Sequence, residues 1–284
     1  MLICVNASRV PYLCREAAEA GAGSVVIYAS GFKETGDSGA NLQAEIIEIS
    51  KEYNLPFCGP NCIGPVNFLN GFGGFSANLP SEYHPGNVSA VCQSGSVAIA
   101  LLNAGRGIDF RYLISNGNEA AVSAEDYFDY LLDEEGTDVV LGFIESFKAI
   151  SKLRRVAAKA RRLGKTISLV KVGRTEFSQR TVVSHTGALA GEDSVIDALL
   201  NQIGIVRSLD LNELLETAIL FRSLPQTGGN RVGMVAISGG EIGLLSDLCS
   251  DIGIQLPDLD ETTVGKLRET LPAYSPIANP VDAW

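Results

Sequence analysis

Short apolar runs alternate with amphipathic stretches along most of the chain, the pattern expected of strands alternating with helices. "SVVIYAS" (24–30) is a β-branched run that stops at Gly31, "NLQAEIIEISKEY" (41–53) has apolar residues at helical spacing, and "LPFCG" (55–59) follows as a short strand. A Gly-, Asn- and Pro-rich passage over 59–87 reads as a long functional loop and linker. A second series then begins with strand 88–93 and helix 95–106. It continues through strand 111–115, helix 123–135, strand 138–145, a basic helix, strand 166–172, and helices near 193–202 and 211–223. Such alternation predicts a mainly parallel sheet covered on both faces.

A third series opens at "RVGMVAIS" (231–238) and echoes the second: "GNVSAVCQSGSVAIALL" and "GNRVGMVAISGGEIGLL" share a strand, a Ser-Gly turn and a helix. The expected organisation is three segments, 1–82, 83–226 and 227–284. The first lacks an opening strand with a Gly-rich turn and the last stops at "NPVDAW", so both ends are expected to lie inside a longer polypeptide.

Composition narrows the partners. Hydrophobic residues make up 46% of the 284, enough for a sizeable interior, and no apolar run approaches the ~20 residues of a membrane span. No signal peptide is visible, and a net charge of −11 argues against nucleic acid or an anionic membrane as a partner. Eight basic residues do cluster between Lys148 and Lys165, but Leu153, Val156, Ala157, Ala160 and Leu163 recur among them at helical spacing, so they read as the solvated face of a helix. Six scattered cysteines without a C-x-x-C pair, and only two histidines, give no metal site and suit reduced thiols in the cytoplasm.

Four segments could carry chemistry. Ser94-Gly95-Ser96, at a strand-to-helix junction, offers free backbone N–H groups and the positive end of a helix dipole to a phosphate or carboxylate, and would equally serve as a plain N-cap. In "VVSHTGALAG" (182–191), His185 sits among small polar residues with little apolar surface to bury it. Gly187 allows a tight turn, Ser184 and Thr186 can donate to an anion, and a neutral imidazole is both nucleophile and base; a surface histidine without a task is the alternative. Glu145 ends a strand at what should be the carboxyl edge of the sheet, where ligands of open α/β sheets bind, and could hold one imidazole nitrogen. "GPNCIGPVN" (59–67) combines stiff prolines with permissive glycines. Asn61 and nearby amides there could contact a cofactor or simply form a turn, and Cys62 has no histidine close in sequence to activate it.

Taken in order, "ASGFKETG", "GPNCIGPVN", "QSGSVAIA", "GNEAAVSAEDYFDYLL" and "SHTGALAG" resemble the α part of NDP-forming acyl-CoA synthetases, with ADP-forming acetyl-CoA synthetases the best match and the succinyl-CoA synthetase α subunit a more distant relative. The resemblance implies an α/β fold: a partial Rossmann-like CoA-binding domain followed by flavodoxin-like doubly wound domains with parallel sheets. It implies a phosphohistidine at His185 steadied by Glu145. Phosphate would be held by Ser94, Gly95, Ser96, Thr186 and Gly187, and CoA contacted by Ser30, Gly31, Asn61 and Cys62. It further implies a small carboxylic acid substrate, ADP or ATP with Mg²⁺ in an ATP-grasp domain or β subunit, and oligomeric assembly. The family's opening Gly-rich turn and its ATP-grasp region have no counterpart here, so the chain is expected to be incomplete for catalysis. The alternative function is a non-catalytic acyl-CoA-binding or regulatory module, possibly of a protein acetyltransferase, against which His185 argues. A nicotinamide dehydrogenase would need a G-x-G-x-x-G with a ribose-binding acid, which the sequence lacks.

Overall fold

The structure is a computed structural model that describes residues 1–179, 192–223 and 229–283. It divides into two compact units, Met1–Pro225 and Gln226–Trp284.

The first unit opens with a small parallel sheet in which β1 (Leu2–Ile3), β2 (Val25–Ile27) and β3 (Phe57–Cys58) lie side by side. Two helices cover it. The first, α1 (Val10–Glu19), and its preceding strand escape a periodicity reading because each is short. The second, α2 (Asp37–Tyr53), buries Ile46 and Ile49 on one stripe and ends at Asn54 in the left-handed conformation. Phe32, Ile3, Ile27, Val10 and Cys14 close this core.

The larger sheet contains β4 (Gly64–Asn67), β5 (Phe72–Gly73), β6 (Val88–Cys92), β7 (Phe110–Ser115), β8 (Val139–Ile144), β9 (Thr166–Lys171) and β10 (Val206–Ser208). Among the described residues its order is β10-β9-β8-β6-β7-β4-β5. The five strands from β6 onward are parallel and run in the flavodoxin-like 2-1-3-4-5 order. The passage expected to be a long loop instead supplies β4, which pairs antiparallel with β7 over four residues, and the edge strand β5. Pro65 is accommodated there next to the sheet margin.

Both faces of this sheet are covered. Alternate residues of β8, Val140 and Ile144, meet Phe128 of α4 (Ala124–Asp133), Leu153 and Val156 of α5 (Ile150–Leu163) and Leu200 of α6 (Asp193–Ile203). Val139 and Leu141 face the other way, toward Ala98 and Leu101 of α3 (Gly95–Leu102) and Leu214 and Ala218 of α7 (Leu211–Ser223). Strands β6 and β8 are buried on both sides, which is why they read as mainly apolar runs without alternation, the buried Ser89 of β6 being satisfied by Thr137. Helix α4 starts with a capping box between Ser123 and Asp126. Helix α5 presents its basic residues outward, where Lys159 pairs with Asp129 and Asp133 of α4 and Lys152 with Asp126. Leu163, counted with its apolar stripe, lies half exposed at the helix end.

The second unit pairs β11 (Val235–Ala236) in parallel with β12 (Val281–Asp282), alongside α8 (Gly239–Asp251) and α9 (Glu261–Thr270). Ser238 is the residue before α8, as Ser94 is before α3, so the sequence echo is also a structural one. Asn279 holds the unit together by donating to the carbonyls of Val232 and Pro257 and accepting from the Met234 amide. Among the described residues no helix is long and apolar enough to cross a membrane.

The Phe128 ring is fully buried and packs close to Gly142 on β8. Phe128→Ala is therefore expected to cost about 3–5 kcal/mol, read from the urea midpoint by circular dichroism; a loss below about 1 kcal/mol would show that the ring does not fill this core.

Candidate functional site

The first and third strands of a 2-1-3-4-5 sheet send their following segments to opposite faces, leaving a crevice at their carboxyl ends. In this chain those strands are β6 and β8, and a cavity of about 270 Å³ opens there. Its floor is Gln93–Ser96, leaving β6, and Glu145–Ser146, leaving β8. The walls are Asn61–Ile63, Gly117–Glu119, Lys33 and Lys148.

Gln93 fixes the floor. Its side-chain oxygen accepts from the amides of Glu145 (2.6 Å) and Ser146 (3.0 Å), and its Nε2 donates to the Ser146 carbonyl (2.8 Å). Lys171 Nζ donates to the Glu145 carbonyl at 2.8 Å from the neighbouring strand end. Ser94 caps α3, its Oγ accepting from the Val97 amide and lying 3.1 Å from Ser96 Oγ. The amides that open α3 have no carbonyl one turn earlier to receive them, so the helix presents donors and partial positive charge to the cavity. At Gly95 a Cβ would come within 2.5 Å of the outer atoms of the Ile63 side chain, so a larger residue would require Ile63 to move.

The loop after β7 is bent back against the Asn61 loop. Asn118 N–H donates to Pro60 O and Ala120 N–H to Gly59 O, while Asn61 and Glu119 adopt the left-handed conformation with φ of 56° and 54°. Gly117, at φ +57°, admits no side chain, since its Cβ would meet the Pro60 and Asn61 carbonyl oxygens at 2.3 and 2.4 Å. Asn118 also donates to Glu34 (2.6 Å) and Gln43 (3.1 Å), which ties the β2 side to this loop.

Electrostatics are mixed. Glu119 is buried, accepts from Asn116 Nδ2 and the Ala124 amide, and is pushed up to about 7, chiefly by burial. Lys33 is brought down to about 8 by burial and by neighbouring Lys148. Contact with Cys58 and burial push the Cys62 thiol far up, and its Sγ donates to Ile27 O, so it is a neutral structural thiol. Among the described residues no three His, Cys, Asp or Glu side chains converge as metal ligands.

The structure thus brings together Ser94, Gly95, Ser96, Glu145, Asn61 and Cys62 from the expected set. Ser30 and Gly31 do not line the cavity; the Gly31 amide is held by Glu34, one hydrogen bond removed from Asn118. His185, Thr186 and Gly187 lie outside the described residues, in the connection between β9 and α6. Sequence reasoning missed Lys33, Gln93, Glu119 and Lys148 as cavity residues. Gln93 immediately follows β6, and Lys33 and Glu119 lie inside "ASGFKETG" and "GNEAAV", so proximity to a strand end was the available signal.

The switch point of this doubly wound domain thus gathers backbone amides, ammonium groups and carboxylates around one cavity. Residues 85–221 match the succinyl-CoA ligase like flavodoxin domain family. The chain is 35% identical over 276 residues to an ADP-forming acetate–CoA ligase of Methanocaldococcus jannaschii, covering 96% of this chain and 38% of that protein. It is 33% identical over 269 residues to the α subunit of ADP-forming acetate–CoA ligase II of Pyrococcus furiosus, covering 94% and 58%. Among solved structures, the dinucleotide-forming acetyl-coenzyme A synthetase 1 of Ca. Korarchaeum cryptofilum, in complex with phosphate and ADP, superposes with a TM-score of 0.88 at 26% identity, covering 99% of this chain and 61% of that one. Residues 85–221 thus match a succinyl-CoA ligase like flavodoxin domain, and the chain as a whole is similar to ADP-forming acetate–CoA ligases while spanning less than two thirds of the length of each of these relatives.

The raised Glu119 acid has a thermodynamic signature. Because its folded value lies above the ordinary carboxylate range, the folded state holds a proton that the unfolded chain has lost, so stability falls as pH rises through that range to about 7 and then levels off. The fall is on the order of 3 kcal/mol and is expected to disappear in Glu119→Gln, as measured by urea unfolding between pH 4.5 and 8. An unchanged slope in that variant would assign the linkage to another group.

Proposed function

We propose that this chain forms the α part of an acid–thiol ligase that interconverts acyl-CoA, phosphate and NDP with acid, CoA and NTP. In this reading a phosphate oxygen attacks the thioester carbonyl, the C–S bond breaks, and the thiolate takes a proton to leave as CoA. A nitrogen of His185 then attacks phosphorus in the acyl phosphate, and the P–O bond breaks to release the carboxylate. The phosphoryl group finally passes from nitrogen to the nucleoside diphosphate, which is bound with Mg²⁺ by an ATP-grasp domain or β subunit.

The observation that carries this reading is the meeting, at the switch point, of the α3 N-terminus with the Glu145 segment. Phosphoryl transfer asks a protein chiefly for position and for donors that balance charge on the equatorial oxygens. Ser94, Gly95 and Ser96 would provide such donors, and Glu145 would orient the imidazole so that its free nitrogen faces phosphorus. Thr186 and Gly187 would complete the phosphate cradle. A cavity of about 270 Å³ suits a thioester end and one phosphate, so the rest of CoA would lie outside it, along the Ser30–Gly31 turn and the Asn61–Cys62 loop. The six cysteines are free thiols, which fits a reducing cytoplasm. Pairing of α and β parts into an oligomer follows from the same reading, as does a small carboxylic acid as the activated substrate.

With its nucleotide-binding part supplied, the protein should take acid-labile, base-stable phosphate from acyl-CoA plus labelled inorganic phosphate, and from neither alone. His185→Ala is expected to abolish the label, and Glu145→Gln to slow its appearance roughly 10²-fold. A wild-type protein that stays unlabelled, or a His185→Ala variant that still labels, overturns the assignment.

A further inference from the structure

Two lysines, Lys33 and Lys148, line the cavity of a chain whose net charge is −11. Lys33 comes from the turn after β2 and Lys148 from the segment after β8, so separate parts of the fold bring them together. Lys148 is near enough to act electrostatically on the Lys33 ammonium. Neither forms an ion pair with a described carboxylate. Glu34 and Glu119 also act on Lys33; Glu34 accepts from Gly31, Phe32 and Asn118, and one oxygen of Glu119 accepts from both Asn116 and Ala124. The backbone at Lys148 is fixed as well, because the fully buried Glu125 accepts from the amides of Lys148 and Ala149.

Burial and Lys148 disfavour the Lys33 ammonium, Glu119 and Glu34 favour it, and the balance leaves it below the ordinary lysine value. A ligand with two negative charges and several acceptor oxygens shifts that balance toward the charged form. The α3 N-terminus opens onto the same cavity and adds donors aimed at that position.

We propose that Lys33 and Lys148 form a two-ammonium clamp that selects a tetrahedral dianion, inorganic phosphate or the phosphoryl end of an acyl phosphate, over a singly charged carboxylate. The identity of the anion rests on the function proposed above; the clamp itself is tested without turnover. In chemical terms, the pair would add two ammonium donors to those of the α3 amides and leave Glu145 to its own partner.

Calorimetric titration of this chain with sulfate, which keeps both negative charges across the working pH range, and with inorganic phosphate should show binding of both, with acetate far weaker. Lys33→Ala and Lys148→Ala should each weaken sulfate about tenfold or more, with folding checked by circular dichroism. Lys33→Arg should retain binding because the charge is kept. The charged groups around Lys33 are Lys148, Glu119 and Glu34, with Glu145 lining the same cavity. In a Glu119→Gln background, sulfate affinity should therefore fall as pH rises through about 8, and adding Lys33→Arg should remove that fall. Alanine variants that bind sulfate as well as wild type, or a wild type that binds neither dianion, overturn the clamp. If the dianions bind as expected while His185 takes no label in the complete enzyme, the clamp stands and the phosphohistidine reading falls.

Discussion

One buried amide holds the site in register. Gln93 spans the gap between the ends of β6 and β8, where the chain leaves the sheet toward opposite faces and backbone groups lose their ladder partners. Its three hydrogen bonds satisfy two amides and a carbonyl that the switch point would otherwise leave exposed to desolvation, each such group costing about 1–3 kcal/mol if unpaired. Glutamine suits this place because one planar side chain presents an acceptor and a donor together. The Glu145 carboxylate and the Ser94 cap take their positions from it: one is carried on the pinned segment itself and the other immediately follows Gln93.

Around that bridge the cavity is built from backbone conformations rather than from packed apolar side chains. The Asn61 and Gly117–Glu119 loops approach so closely that their left-handed residues and the bare Gly117 are steric requirements. The same close approach buries Glu119 and keeps it largely protonated below neutrality, while Lys33 is partly desolvated. Opposite shifts in neighbouring groups come from one cause, the removal of water by converging loops.

Much of this was legible in the sequence, and its limits are physical. The doubly wound class followed from mainly apolar runs such as Val88–Cys92, which do not alternate because both faces are buried, and from the amphipathic stripe Leu153–Val156–Ala157–Ala160. Ser94–Ser96 and Glu145 were legible because strand ends in an open α/β sheet are where ligands sit. Strands of two or three residues, such as β1 and β10, leave no period to read. Strand β4 was hidden by its composition: Gly64-Pro65-Val66-Asn67 looks like a turn, and only its long-range pairing with β7 makes it a strand. Lys33 and Lys148 lie 115 positions apart, so their meeting is a property of the packed loops.

The β4–β5 ribbon also sets where this protein can be divided. It precedes residue 83 in the chain yet forms one edge of the sheet built from later residues, with the Asn61 loop joining the two. A recombinant junction placed between 82 and 83 would therefore strip the parallel sheet of its flank and uncover the β7 edge for intermolecular pairing. The sheets do not form interchangeable modules. Grafts that exchange one for a homologous counterpart must carry residues 59–73 with the larger sheet, placing the seam directly after β3, where the small sheet ends.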